Sequence, residues 1–128
     1  MSHFSQIKTQ IRNLPALKSA LTDLKLDWKP GPCDVRGYKG LTHTAEVVIE
    51  QDNQYDIGFA WNGQQYELVA DLQYWRQDSP VDYFLSKVTQ RYAYHTIVQE
   101  SSQKGFQIAE QQSNQDGSIR LVLQRWSA

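Results

Sequence analysis

Tyr55-Asp56-Ile57-Gly58-Phe59-Ala60-Trp61-Asn62-Gly63-Gln64-Gln65-Tyr66-Glu67-Leu68-Val69-Ala70-Asp71 is the stretch whose reading decides the fold. Ile57, Phe59 and Trp61 alternate with Asp56, Gly58 and Ala60, and Tyr66, Leu68 and Ala70 alternate with Glu67, Val69 and Asp71. A period of two sends alternate side chains to opposite faces, which predicts two half-buried strands, Tyr55–Trp61 and Gln65–Asp71. Asn62-Gly63 between them predicts a hairpin with a type I′ turn, in which both central residues take positive φ.

Downstream, Ser79-Pro80-Val81-Asp82 offers a capping hydroxyl, a proline where its missing N–H costs nothing, and an acid in the first turn. Val81, Phe84, Leu85, Val88 and Tyr92 then recur at spacings of three and four, predicting a helix with one apolar face that runs to about Gln103. Lys104-Gly105 supplies the basic last turn and the glycine that ends it. Phe106 and Ile108, the turn-forming Ser113–Gly117, and the alternation of Ile119, Leu121 and Leu123 predict a second hairpin.

Upstream, Ile7 and Ile11 fit helical spacing, but Gln6-Ile7-Lys8-Thr9 reads as an edge strand. Asn13 is placed to cap a helix from Leu14 or Pro15 to about Lys25, with Leu14, Leu17, Ala20, Leu21 and Leu24 as its buried stripe. Leu26-Asp27-Trp28-Lys29 alternates and reads as a strand returning beside the first, ended by Pro30-Gly31-Pro32. Cys33–His43 reads as a long loop or irregular strand, and Thr44–Glu50 as a strand joined through Asp52-Asn53 to the central hairpin. The resulting architecture is α+β: an antiparallel sheet with two helices on one face, in a single domain over residues 1–128. The element order also hints at a duplicated β-α-β-β unit, without any residue-level repeat.

A chain of 128 residues with 40% hydrophobic content can bury a core without metal or disulfides. The single cysteine, Cys33, excludes an intramolecular disulfide and points to an intracellular chain. No apolar run approaches the roughly 20 residues of a membrane helix, and the opening MSHFSQIKTQ lacks the plan of a secretory signal, so the chain reads as soluble and complete. A net charge of −1 gives no positive field to draw nucleic acid.

Six residues stand out as tentative ligand or partner contacts: Arg36, Tyr38, Tyr74, Trp75, Arg91 and His95. His95 shares a helix face with Val81, Phe84 and Val88 and is a candidate ligand or general base, against the plainer reading of a half-buried histidine bonded to a neighbour. Tyr74-Trp75-Arg76-Gln77-Asp78 mixes aromatics with both charges, as a contact loop would, although Trp75 folded under the helix start is the simpler expectation. Arg36, Lys39 and Tyr38, and separately Arg91, Tyr92 and Tyr94, are basic and aromatic groupings, with Arg91 and Tyr94 expected on a solvated helix face. Cys33 beside Arg36 and Lys39 has the setting of a lowered-pKa thiol but no histidine signature. His3 and His43 form no metal-spaced pair. No catalytic residue, metal site or cofactor is expected.

Met1-Ser2-His3-Phe4-Ser5 followed by Ile7-Lys8-Thr9, the segment Val35-Arg36-Gly37-Tyr38, the strand Tyr55–Phe59 and the stretch Gln90-Arg91-Tyr92-Ala93-Tyr94-His95 resemble a family over nearly the whole chain. It is the set of small proteins of cyanobacteria and algal plastid genomes called hypothetical chloroplast open reading frame thirty-five, a domain of unknown function. The resemblance brings over no catalytic residues. It implies a cytoplasmic or stromal protein of photosynthetic cells, with a role in photosystem assembly or maintenance. Two functions are therefore weighed. One is a non-enzymatic accessory protein with a photosystem-related protein partner; the other is a small-ligand-binding domain or enzyme with a pocket between sheet and helix. Nucleic acid is a disfavoured third partner, and peripheral membrane association stays open.

Overall fold

The computed structural model describes residues 3–125. Along the chain run β1 (Ser5–Lys8), α1 (Leu14–Asp23), β2 (Trp28–Arg36), β3 (Thr42–Ile49), β4 (Ile57–Trp61), β5 (Tyr66–Ala70), α2 (Val81–Gln103), β6 (Phe106–Ser113) and β7 (Ile119–Arg125). Short 3-10 turns at Tyr38–Gly40 and Leu72–Tyr74 complete it. Antiparallel pairing arranges five strands as β1-β5-β4-β3-β2, while β6 and β7 form a sheet of their own. The fold is α+β with both helices against one face of the larger sheet, and the final hairpin does not join that sheet.

The period-two register is observed. Phe59 pairs with Val47 on one side and Leu68 on the other, and Ile57, Tyr66 and Ala70 lie on the same face. Leu17 and Leu21 of α1 and Phe84 and Val88 of α2 pack onto these residues, so the space between sheet and helices is filled with apolar side chains. Asn13 caps α1 through the amide of Ala16 at 3.1 Å, as its sequence position implies. Gly105 follows α2 at φ 83°, the left-handed conformation that glycine adopts without a Cβ penalty.

Three local expectations are corrected. Only Gly63 of Asn62-Gly63 has positive φ, so the turn is not type I′. Instead, the Asn62 side chain accepts the amides of Gln64 and Gln65, both at 2.9 Å, and closes a four-residue loop before Tyr66. At the start of α2 the capping position is Pro80, and Ser79 contributes its carbonyl, not its hydroxyl, accepting the Trp75 indole N–H at 2.7 Å. Pro30-Gly31-Pro32 does not end a strand. β2 runs through it across a register shift between Pro30 and Cys33, and it pairs with β3, not β1. Proline is tolerated there because β2 is an edge strand, with one side needing no N–H donors.

Beyond that bulge the chain crosses the sheet's second face. Val35 and Ala45 close over Gly58 so tightly that a Cβ there would overlap both, and His43 reaches Gln6 of β1 at 3.2 Å. The Phe4 ring fills the space beside Gly37. A second cluster results: Val35, Ala45, Val48, Ala60 and Val69, with Phe4 and Cys33 at its margin. The central strands are thus buried on both faces, not half-buried as their alternation implies. Of the two readings of Cys33–His43, long loop or irregular strand, the second holds: the segment is mostly paired strand around one tight turn.

Candidate functional site

The six residues singled out by sequence divide into two places. Arg36, Tyr38, Tyr74 and Trp75 gather at one end of the large sheet, where the two 3-10 turns flank the β3–β4 connection. Arg91 and His95 lie on α2 against α1.

At the sheet end, the anchor is Asp56, whose side chain is 1% exposed. Its carboxylate accepts the Arg36 guanidinium in a two-pronged bond, from Nε at 2.8 Å and Nη2 at 2.9 Å. It also accepts the Arg36 backbone amide at 2.9 Å. Bonding to Asp56 raises the Arg36 pKa further above its ordinary value, so the guanidinium stays charged. Glu50 also approaches Arg36 Nη2, at 3.4 Å, and takes Lys29 at 2.7 Å. Arg36 is therefore a strut that locks the crossing segment onto β4, not a free cation.

Around this strut the tyrosines assemble. Tyr55 and Tyr74 stack with ring centroids 4.0 Å apart and planes within 16°. Burial first, then the Tyr74 hydroxyl, raises the Tyr55 phenol above its ordinary pKa, with Asp71 and Tyr38 adding to the effect. Gln51 and Asn53 both donate to the Tyr74 carbonyl, fixing the Leu72–Tyr74 turn to the β3–β4 connection. In the other turn Lys39 takes the left-handed conformation, φ 52° and ψ 42°, and its ammonium lies 5.4 Å over the Tyr38 ring. A non-glycine residue in that region costs about 1–2 kcal/mol. Each turn carries an exposed leucine, Leu41 at 50% and Leu72 at 37%. Trp75 faces inward, edge-on to Phe84 at 5.0 Å, which is the packing role the sequence favours. Tyr55, Asp56, Leu41 and Leu72 were missed by sequence reasoning. Asp56 sits on the polar side of the strand alternation, and nothing local signals its burial.

At the helix interface, Asp23 is the residue that sequence did not supply. Its Oδ2 accepts Arg91 Nη2 at 2.6 Å and pairs with His95 Nε2 at 2.6 Å. The Arg91 guanidinium also lies 4.5 Å over the Tyr94 ring, and the Tyr94 hydroxyl donates to Gln111 at 3.1 Å. Arg91 and Tyr94 thus bridge α2 to α1 and to the final hairpin; they are not a solvated face. His95 and Asp23 open onto a shallow hollow of about 250 Å³ with Lys18, Ser19, Thr22 and Trp28. Chemically, a carboxylate holding one imidazole nitrogen orients the ring so that the other nitrogen is available to a ligand.

Burial pulls the Asp23 carboxyl upward, but bonds from Arg91 and His95 outweigh it and hold the pKa below the ordinary aspartate value. A depressed acid contributes stability above its unfolded pKa and loses it as pH falls through the folded one. The stability that the Asp23 carboxylate contributes relative to Asp23→Asn is therefore expected to shrink as the pH falls below about 4. Its size is under about 1 kcal/mol for such a part-exposed pair. Urea midpoints of both proteins from pH 7 to 3 test this.

Among the described residues no cluster of three or more His, Cys, Asp or Glu has the geometry to hold a metal ion. A family model described as a protein of unknown function, DUF1257, matches residues 20–122. The chain belongs to that family. Uncharacterised plastid proteins named ycf35 are similar to this DUF1257 chain over nearly their full length. The protein of Guillardia theta is 48% identical over 98% of both chains, and that of Pyropia yezoensis 45% over 99% of both. The protein of Trieres chinensis is 39% identical over 92% of this chain and 93% of its own. No solved structure matches the chain. No helix among the described residues is long and apolar enough to cross a membrane. The matched span includes both the sheet-end cluster and the Asp23–Arg91–His95 cluster of this DUF1257 chain.

Proposed function

We propose that this DUF1257 chain is a non-enzymatic accessory protein of photosynthetic cells that supports photosystem assembly or maintenance by docking a protein partner. Its site of action is the cytoplasm, or the stroma in plastids, in keeping with the algal plastid relatives. The observation that carries the reading is the sheet end, where Leu41 and Leu72 stand exposed on two turns held rigid by the Arg36–Asp56 pair and the Tyr55–Tyr74 stack. Rigid aromatic and apolar residues ringed by polar ones are what a protein interface uses as anchors, because they bury area without losing much side-chain freedom.

The test is recovery on the tagged full chain from photosynthetic cells in mild detergent, with wild type beside Leu41→Asp. Photosystem subunits or their assembly proteins retained by wild type and lost from Leu41→Asp support the proposal. Equal recovery by both, or none by wild type, overturns it. Leu41 is half exposed, so the variant keeps its fold.

The Asp23–His95 pair and its hollow favour a second reading, a small-ligand-binding domain or enzyme. A small molecule whose thermal shift vanishes in His95→Ala but persists in Leu41→Asp would move the assignment there.

A further inference from the structure

The edges of the two sheets are treated differently by the sequence. β1 is four residues long and carries Lys8, and β2 carries Lys29, Pro30, Pro32 and a register shift. β6 has its own shift between Ile108 and Glu110. Each of these blunts an edge against pairing. β7, Ile119-Arg120-Leu121-Val122-Leu123-Gln124-Arg125, is the least protected: it carries Arg120 and Arg125 but neither proline nor bulge, and its seven regular residues are hydrogen-bonded along one side to β6 and along the other to no described strand.

Beside that open edge is an apolar groove of about 210 Å³. Ser118, Ile119 and Leu121 form one wall and Ala93, Tyr94 and Ile97 of α2 the other. It is lined by β7 and α2 without β6, so it lies over the face of the hairpin that carries Ile119 and Leu121, on the β7 side. Ile97 at its rim is 42% exposed and Leu123 further along the strand is 38% exposed.

We infer that β7 pairs with β7 of a second copy of this chain, antiparallel about a two-fold axis through Val122. The strand is self-complementary about that point. Leu121 falls opposite the copy's Leu123 and Leu123 opposite its Leu121, while Arg120 meets Gln124 and Ile119 meets Arg125. No like charges oppose each other, and the leucines pair across the strands. A shift by one residue would set the apolar row against the polar one, so the pleat enforces this parity. Leu121 already lines the groove, so the copy's Leu123, sharing its face, enters beside it and is covered together with Ile97. Strand spacing puts β6 and its symmetry copy about 14 Å apart, room for the two α2 helices, which pack at about 8–10 Å. An isolated two-stranded hairpin is marginal in water, and pairing converts it into four strands over two helices. The inference uses a surface separate from the sheet end that carries the proposed partner docking.

The axis itself supplies the test, because Val122 faces its own copy. Sedimentation of the purified full chain at high micromolar concentration is expected to show a dimer, and Val122→Lys and Val122→Glu, each alone, a monomer with an unchanged circular dichroism spectrum. Mixing the two variants places opposite charges on the axis and restores the dimer. A monomeric wild type, or a dimer that persists in both variants, overturns the inference. Failure of the mixture to dimerise removes the two-fold register. None of these outcomes bears on partner recovery through Leu41.

Discussion

Phe59→Ala is expected to lower the unfolding free energy by about 4 kcal/mol, in the range found when a buried aromatic is truncated to alanine. Phe59 is fully buried and among the largest such side chains. It pairs with Val47 and Leu68 on the neighbouring strands and faces the helix residues Leu17, Leu21, Phe84 and Val88. A cavity there cannot collapse easily, because Gly58 before it is pressed by Val35 and Ala45 on the opposite face. Since small domains are stable by only about 5–15 kcal/mol, the variant is expected to lose a large part of its margin. Urea denaturation should show a lowered midpoint with an unchanged slope. A loss below about 1 kcal/mol would mean that the two layers are not held together at this point.

Arg36→Ala is expected to cost about 3 kcal/mol, the low end of the range for breaking a buried pair from one side. The carboxylate of Asp56 is buried and would keep only the backbone amide of residue 36 as a donor, whereas the lost arginine side chain was itself 42% exposed. Arg36→Lys should recover a fraction only, since an ammonium cannot reproduce the two-pronged contact. A double-mutant cycle with Asp56→Ala should give a strong favourable coupling, the double variant losing less than the sum of the singles. Simple additivity would show that the crossing segment is held by Val35 and Ala45 packing alone.

What was legible in the sequence is what is local. Alternation in Ile57–Trp61 and Tyr66–Ala70, the Asn13 cap and the Gly105 stop each depend on a few consecutive residues, and each is found where the pattern puts it. The helix face of α2 is also correct, since Phe84 and Val88 meet the sheet and His95 continues the row toward α1. What was not legible depends on residues brought together from far apart. Asp56 reads as a solvent-side acid until Arg36, twenty positions earlier, is laid over it. The same holds for Asp23, which meets His95 across 72 positions. The glycine at 58 looks like a weak strand residue, yet it is the place where another strand segment passes closest. Pro30-Gly31-Pro32 reads as a terminus because proline interrupts a ladder everywhere but at an edge, and nothing local marks β2 as an edge.

The pairing of Ser5 with Ala70 sets the order in which the molecule can be assembled. β2, β3, β4 and β5 are joined in sequence to their sheet neighbours and can pair as soon as they emerge during synthesis. β1 has to wait for β5, some 60 residues behind it, because the site it occupies does not exist before then. Phe4, which closes the second face beside Gly37, arrives with it. The first strand made is thus the last one placed in the larger sheet, and until it docks the nascent sheet presents an unpaired β5 edge and an uncovered apolar face to whatever chaperone or neighbour is within reach.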